Sequence, residues 1–434
     1  MKIKWSIFPF LLPVIVACQF KDDLYVDFME LPEGKDLKFQ VCSQRETDLA
    51  GGLPDDCYLM DGSKANEYVS PGATRTTSTS ATNIVQTLLK YGNQNRVAEI
   101  VGTYGSIDGD GNPITLSGKV MLPAGGKPKR LILVNHYTVC SNAEAPSNCF
   151  SLEGVLAKMG YGLVIPDYAG YGVTAGEIHP YLVMDQTARN VLDMYLAVRE
   201  WLEAVGRAPE HEEICLMGYS QGGATSMAVE RLIETEYTEH DDVTVKIHRV
   251  FAGGGPYDVK STYERFVNTD VAGFPVAVPL VLQGMIMGNS LDMEIGTMMQ
   301  PWLCDRLNEW VNSKKYTAAQ INMLIGTHTT HEMLTEEAMD QKSSRVAELY
   351  KAMTLNSVVS YNWKPAASVY IMHSMDDETV PFANASSAKS RWKDANIKYN
   401  FGHYGGHANA CLRFIFSVQS LLKEEEKEMK KYED

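Results

Sequence analysis

Positive charge is in short supply in this chain: 39 Lys and Arg stand against 54 Asp and Glu, a formal net charge of −15. Holding a phosphate backbone requires clustered Lys and Arg, so no nucleic-acid partner is expected. No apolar run is long enough to cross a bilayer, which excludes a transmembrane helix. Repeats and heptads are absent too, which excludes a solenoid or a coiled coil. The 8 Cys and 10 His nowhere adopt the spacing of zinc ligands, so neither a metal nor a cofactor is expected. What remains is an ordinary globular composition, 45% hydrophobic and 21% charged. At 434 residues the chain exceeds one usual hydrophobic core, so two lobes or a large insertion are expected.

The N-terminus has the layout of an export signal. Lys2 and Lys4 precede an apolar stretch, Trp5 to Ala17, too short to span a membrane and suited to a signal-peptide core. It ends Ile15-Val16-Ala17-Cys18, which resembles the lipobox of bacterial lipoproteins, with Lys21-Asp22-Asp23 resembling the surface-export tag of Bacteroidetes lipoproteins. The resemblance implies cleavage after residue 17, lipidation of Cys18, and an outer-membrane lipoprotein displayed at the cell surface. Each buried CH₂ of such an anchor contributes about 0.8 kcal/mol. A plain secretory signal with an incidental cysteine is the alternative. With Cys18 lipidated, an odd number of thiols is left. Cys42 with Cys57 and Cys140 with Cys149 are the nearest pairs in sequence, and an exported protein permits disulfides. Cys215, inside an apolar run, reads as a small buried hydrophobe.

One short motif carries chemistry. Gly218-Tyr219-Ser220-Gln221-Gly222 lies between the apolar run Ile214 to Met217 and a stretch in which Ala224, Met227, Ala228 and Leu232 recur at helical spacing. A bare G-x-S-x-G arises by chance about 0.15 times in a chain of this length, so the flanking pattern has to carry the assignment. A serine between glycines at a strand-to-helix turn is a nucleophile elbow, and small residues beside it let the two backbones approach closely.

Around the elbow the chain alternates strand and helix signals. Val97 to Ile107 and Pro113 to Leu122 flank Asp108-Gly109-Asp110-Gly111-Asn112 as a hairpin. No glutamate closes a twelve-residue calcium loop there. Strands follow at Leu131 to Asn135, Gly162 to Pro166, Val243 to Ala252 and Ala367 to Met372. Helical faces appear at Leu152 to Met159, at Ala188 to Leu202, and from His407 with Cys411, Leu412, Ile415, Val418 and Leu422. This is an α/β pattern: a mostly parallel sheet covered on both faces. Residues 1–17 form the signal peptide, 18–95 an extended arm and linker, 96–255 and 366–434 the core, and 256–365 an inserted helical cap. The cap is rich in methionine (Met285, Met287, Met293, Met298, Met299, Met323, Met333, Met339 and Met353). Such residues either coat a hydrophobic pocket or fill a small helical core.

A nucleophilic serine needs an acid and a base, found in the chain order Ser, acid, His. His373-Ser374-Met375-Asp376-Asp377-Glu378-Thr379-Val380-Pro381 resembles the hydrolase pattern H-G-x-x-D-x-x-V-P, with Ser374 in place of glycine. Register on Val380-Pro381 selects Asp377 over Asp376, although either could cap the next helix. His407 and His403 share the following loop, and His407, after a Gly-Gly pair and at the head of the last helix, is the expected base. His136, His179 and His373 are expected to be structural or to neighbour the site. One oxyanion donor should be the Gln221 N–H and the other should come from the loop after Asn135.

Pro166-Asp167-Tyr168-Ala169-Gly170-Tyr171-Gly172, Ala145-Pro146-Ser147, His179-Pro180-Tyr181 and the insertion after Gly253-Gly254-Gly255-Pro256 together resemble the secretory-lipase family of α/β-hydrolases, the group around Candida antarctica lipase A. The likeness runs from about Val97 to the C-terminus. It implies an α/β-hydrolase fold and a serine hydrolase acting on carboxylic esters through Ser220, Asp377 and His407. It also places Thr138 where the family has an aspartate that helps the oxyanion, with Tyr137 as the fallback donor. The expected partner is a small-molecule or lipid ester. A serine peptidase or an esterase of acylated glycans on the same fold is the alternative, and a non-catalytic binding lipoprotein belongs to a different class.

Overall fold

The computed structural model describes residues 37–68, 79–237 and 244–433. The expected signal peptide, Cys18 and the export tag lie outside the described residues. A single sheet of nine strands organises the chain: β1 (Phe39–Asp48), β2 (Arg96–Ile107), β3 (Pro113–Pro123), β4 (Leu131–Asn135), β5 (Gly162–Pro166), β6 (Ile214–Tyr219), β7 (Ile247–Gly253), β8 (Ser368–Ser374) and β9 (Ile397–Gly402). Their spatial order is β1-β2-β3-β5-β4-β6-β7-β8-β9. The pairs β1/β2, β2/β3 and β3/β5 are antiparallel; every pair from β5/β4 to β8/β9 is parallel.

The parallel centre explains the uninterrupted apolar runs. Every residue of β4, β5 and β6 is buried, because helices cover both faces. Alternate residues feed opposite cores. Leu133 and Leu216 join Val191, Val198 and Met227 of helices α2 (Met184–Ala204) and α3 (Gln221–Glu236). Ile132 and Met217 face Val418 of the C-terminal helix His407–Glu433 and Leu88 of another helix, Thr79–Lys90. The β2–β3 hairpin closes as the sequence suggested, with Ile107 opposite Pro113, and the Asp108 carboxylate is used by the turn itself, accepting from Asp110 and Asn112 N–H at 2.9 and 2.8 Å.

The structure departs from the sequence reading in two places, the arm and the cysteine pairs, and decides a third that was left open. The segment read as an extended arm contains β1, paired with β2 from Phe39↔Tyr104 to Asp48↔Arg96. Its register shift between Val41 and Ser43 breaks the period-two pattern that would have announced it. Neither Cys42 with Cys57 nor Cys140 with Cys149 is bridged; Cys57 is fully buried while Cys42 lies on an exposed side of β1. The insertion between β7 and β8 is helical, opening with α4 (Val259–Thr269) and α5 (Ala277–Gly288). Its Met285, Met298, Met299, Met333 and Met353 are fully buried in the cluster that also holds Leu216 and Val191, and methionine there fills a core. Met287 and Met323 are exposed.

Candidate active site

Ser220 sits at the junction of β6 and α3 with φ 58° and ψ −125°, a strained backbone for a non-glycine residue. The strain persists because the turn is over-determined. A Cβ on Gly218 would lie 2.1 Å from the Gly222 carbonyl oxygen, and one on Gly222 would lie 1.9 Å from that of Asn135. Only glycine allows strand, helix and neighbouring strand to close in this way. β4 and β6 are adjacent, with Asn135 opposite Gly218, while β5 lies on the far side of β4. The loop after β4 and the elbow after β6 therefore meet at the carboxyl end of the sheet, where strand order reverses and ligands enter open α/β sheets.

Two further loops complete the cluster. His407 Nε2 lies 2.8 Å from Ser220 Oγ, and His407 Nδ1 lies 2.6 Å from Asp377 Oδ2. The carboxylate accepts the Nδ1 proton, which leaves Nε2 with a lone pair for the serine hydroxyl. The other Asp377 oxygen accepts from Thr379 and Val380 N–H at 3.0 and 2.8 Å, so the turn itself aims the carboxylate. All three side chains are buried. The competing pair goes elsewhere: His403 Nδ1 and Asp376 Oδ1 bond each other at 2.7 Å on the surface.

Several residues support the cluster; His373 and His179 were expected beside the site, while the roles of Glu378 and Tyr219 were not foreseen. Glu378 accepts the His407 N–H at the head of the C-terminal helix, and the Tyr219 hydroxyl donates to the His407 carbonyl at 3.0 Å. His373 Nε2 donates to the Val380 carbonyl at 2.9 Å, and burial holds its pKa below the usual range. His179 is held from both sides: Nδ1 faces the Ala169 carbonyl at 2.7 Å, and Nε2 faces Gln221 Nε2 at 2.9 Å. Burial, with the Lys314 ammonium nearby, pushes His179 down to about 3, so it stays neutral and accepts from the Gln221 amide.

The expected oxyanion donors separate. Thr138 lines the cavity with Ser220, and its hydroxyl is 2.9 Å from that of Tyr181. Tyr137 turns away, donating its hydroxyl to the Tyr58 carbonyl at 3.3 Å. Above Ser220 lies a narrow cavity of about 40 Å³, walled by Thr138 and Tyr181 from the core, Val259, Tyr263 and Phe266 from α4, and Ala277 and Val281 from α5. Its lining is almost wholly apolar, so it suits hydrocarbon and not charge. Among the described residues no group of His, Cys, Asp or Glu could hold a metal ion.

A mostly parallel sheet with a serine at a strained strand–helix turn, hydrogen-bonded to a histidine that faces a carboxylate, defines the α/β-hydrolase class. A family model described as secretory lipase matches residues 142–411, and the chain belongs to that family; it is a serine hydrolase of carboxylic esters. It is 21% identical over 340 residues to the secreted triacylglycerol lipase LIP3 of Malassezia restricta, covering 72% of this chain and 67% of that one. The rice cell wall degrading esterase LipA of Xanthomonas oryzae has a similar structure, with TM-score 0.67 and 20% identity over 89% of this chain and 98% of that one. So does Candida antarctica lipase A in its closed state, with TM-score 0.58 and 16% identity over 74% and 78% of the two chains.

Proposed function

We propose that Ser220, His407 and Asp377 are the catalytic triad of an esterase or lipase that transfers an apolar acyl group to water. Ser220 Oγ attacks the ester carbonyl carbon while His407 Nε2 takes the hydroxyl proton. The oxyanion is held by the Gln221 and Thr138 N–H groups, neither of which has another partner among the described residues. The imidazolium then returns its proton to the alkoxide leaving group, and the acyl group stays on Ser220. Water, deprotonated by His407, attacks the acyl-enzyme and releases the acid; the serine regains its proton. Asp377 fixes the imidazole tautomer and stabilises the imidazolium.

One observation carries the reading: the 2.8 Å contact of Ser220 with His407 opens on an apolar cavity. That lining favours esters of lipid or medium-chain acids over substrates with charged groups at the scissile carbonyl. Export is supported by the secreted Malassezia relative, and lipidation at Cys18, with anchoring to the outer membrane, is the finer form of the proposal. A fluorophosphonate probe tests the nucleophile. Wild type should label and Ser220→Ala should not; equal labelling of both would sink the assignment. An ester series run beside aminoacyl amides separates lipase, short-chain esterase and peptidase. Incorporation of an alkyne-palmitate label, expected in wild type and lost in Cys18→Ser, tests the anchor.

A further inference from the structure

Met60 walls the cavity over Ser220, yet it belongs neither to the central strands nor to the helical insertion. It precedes the stretch 142–411 that matches the family, and the reaction steps make no use of it. Its segment is pinned on both sides of the site. On the core side, Cys57 pairs with Phe150 in an isolated parallel bridge, and the Tyr58 carbonyl accepts from Tyr137, the neighbour of Thr138. On the other side, Gly62 turns at φ +75° so close to the insertion that a Cβ there would stand 3.1 Å from Thr317 Oγ1. Between these anchors, Gly62 N–H closes a turn on the Leu59 carbonyl at 2.8 Å. Leu59 is buried in the core, and the next residue, half-buried Met60, reaches the cavity.

We infer that Met60 is a specificity-determining residue, its side chain the movable wall that sets the length of acyl chain Ser220 can accept. The inference rests on the assignment of Ser220 as the nucleophile. A cavity of about 40 Å³ has room for a few waters and none for a long acyl chain, so a wall must yield. Tyr181, Leu182, Val259, Tyr263 and Val281 are buried, and tight packing resists their displacement. Of the half-buried walls, Thr262, Phe274 and Thr379 are branched or aromatic, whereas Met60 is unbranched and polarizable. Its backbone is held at both ends of the turn, so the thioether can swing while the arm stays in place. The insertion's own buried methionines do not line this cavity.

The test compares kcat/KM for p-nitrophenyl acetate, butyrate and octanoate in wild type, Met60→Ala, Met60→Trp and Met60→Leu, with the rate of fluorophosphonate labelling measured alongside. Met60→Ala should raise the octanoate-to-acetate ratio roughly tenfold and Met60→Trp should lower it as much, within the range that a change of pocket volume produces. Met60→Leu should keep the wild-type ratio, and all four proteins should still be labelled at Ser220, whatever the rate. Unchanged ratios in both Met60→Ala and Met60→Trp, with labelling intact, would overturn the inference. A wild type that neither labels nor cleaves any ester would instead overturn the Ser220 assignment itself.

Discussion

Ser374 Oγ donates to the Gly405 carbonyl at 2.7 Å, stitching the end of β8 to the loop that delivers His407. The same oxygen accepts the Tyr404 N–H at 3.2 Å. A serine where the related sequence pattern carries glycine is therefore a fastening between the strand before Asp377 and the loop before His407. With the Asp376 N–H, which the same oxygen accepts at 3.2 Å, Ser374→Ala leaves three backbone groups short of a partner and should cost about 1–3 kcal/mol of stability. Because the histidine loop loosens, kcat should fall further than KM rises. Denaturant unfolding and steady-state kinetics on one ester check both.

Removing Ser220 or His407 as alanine should each lower kcat by about 10⁶-fold, and the double variant should lose little more, since the groups act as a unit. Asp377→Asn should cost about 10⁴-fold through the wrong imidazole tautomer. Asp376→Asn and His403→Ala each break an exposed pair that does not reach Ser220 and should stay within about twofold of wild type. A drop of the Asp377 size in Asp376→Asn would reverse the choice between the adjacent acids.

Glu144 is buried on the loop after β4, accepts the Ser141 N–H at 3.2 Å, and is pushed by burial from 4.5 up to about 7. Between those two values the folded protein holds a proton that the unfolded chain has released. Stability contributed by the neutral carboxyl is thus complete below about pH 4.5 and is lost as pH rises through 7, by up to about 3 kcal/mol. Glu144→Gln stays neutral and still offers an oxygen to Ser141. It should match wild type near pH 4 and exceed it at pH 8 in urea unfolding. A constant difference across that range would be evidence against the buried neutral acid.

His179 accepts from the Gln221 side chain, whose backbone N–H is the proposed oxyanion donor. His179→Ala should reduce kcat by about tenfold, less than the 10²–10³ lost when an oxyanion donor itself is removed. KM should change little, and His179→Asn should recover part of the loss. Equal effects of both variants on KM alone would assign His179 to binding.

The elbow, the parallel strands and the C-terminal helix were legible because each depends on neighbours in sequence. Met217-Gly218-Tyr219-Ser220 carries its own apolar run and its own glycine. Edge strands were not. β1 reads Phe-Gln-Val-Cys-Ser-Gln-Arg-Glu-Thr-Asp with a broken register and has no clean two-residue period, whereas β9, Ile-Lys-Tyr-Asn-Phe-Gly, does alternate but is only six residues long and partly buried. The methionines of the insertion left two readings open, because the same residue type packs a core or coats a pocket; full burial of five of them in the main core, away from the cavity over Ser220, decided for the first.

By itself the sequence determined a serine on a sharp turn in an α/β protein and a short roster of acids and histidines after it. Local periodicity and the steric demands of Gly218 and Gly222 act over a few residues, and those are written in order along the chain. The tertiary structure decided that Asp377 faces His407 while Asp376 faces His403, and that Tyr137 turns from the cavity while Thr138 faces it. It also brought Met60 to Ser220. Neighbouring residues of like chemistry are separated only by the direction a turn gives them. Contacts across the sheet exist only once distant loops have closed, so no local pattern announces them.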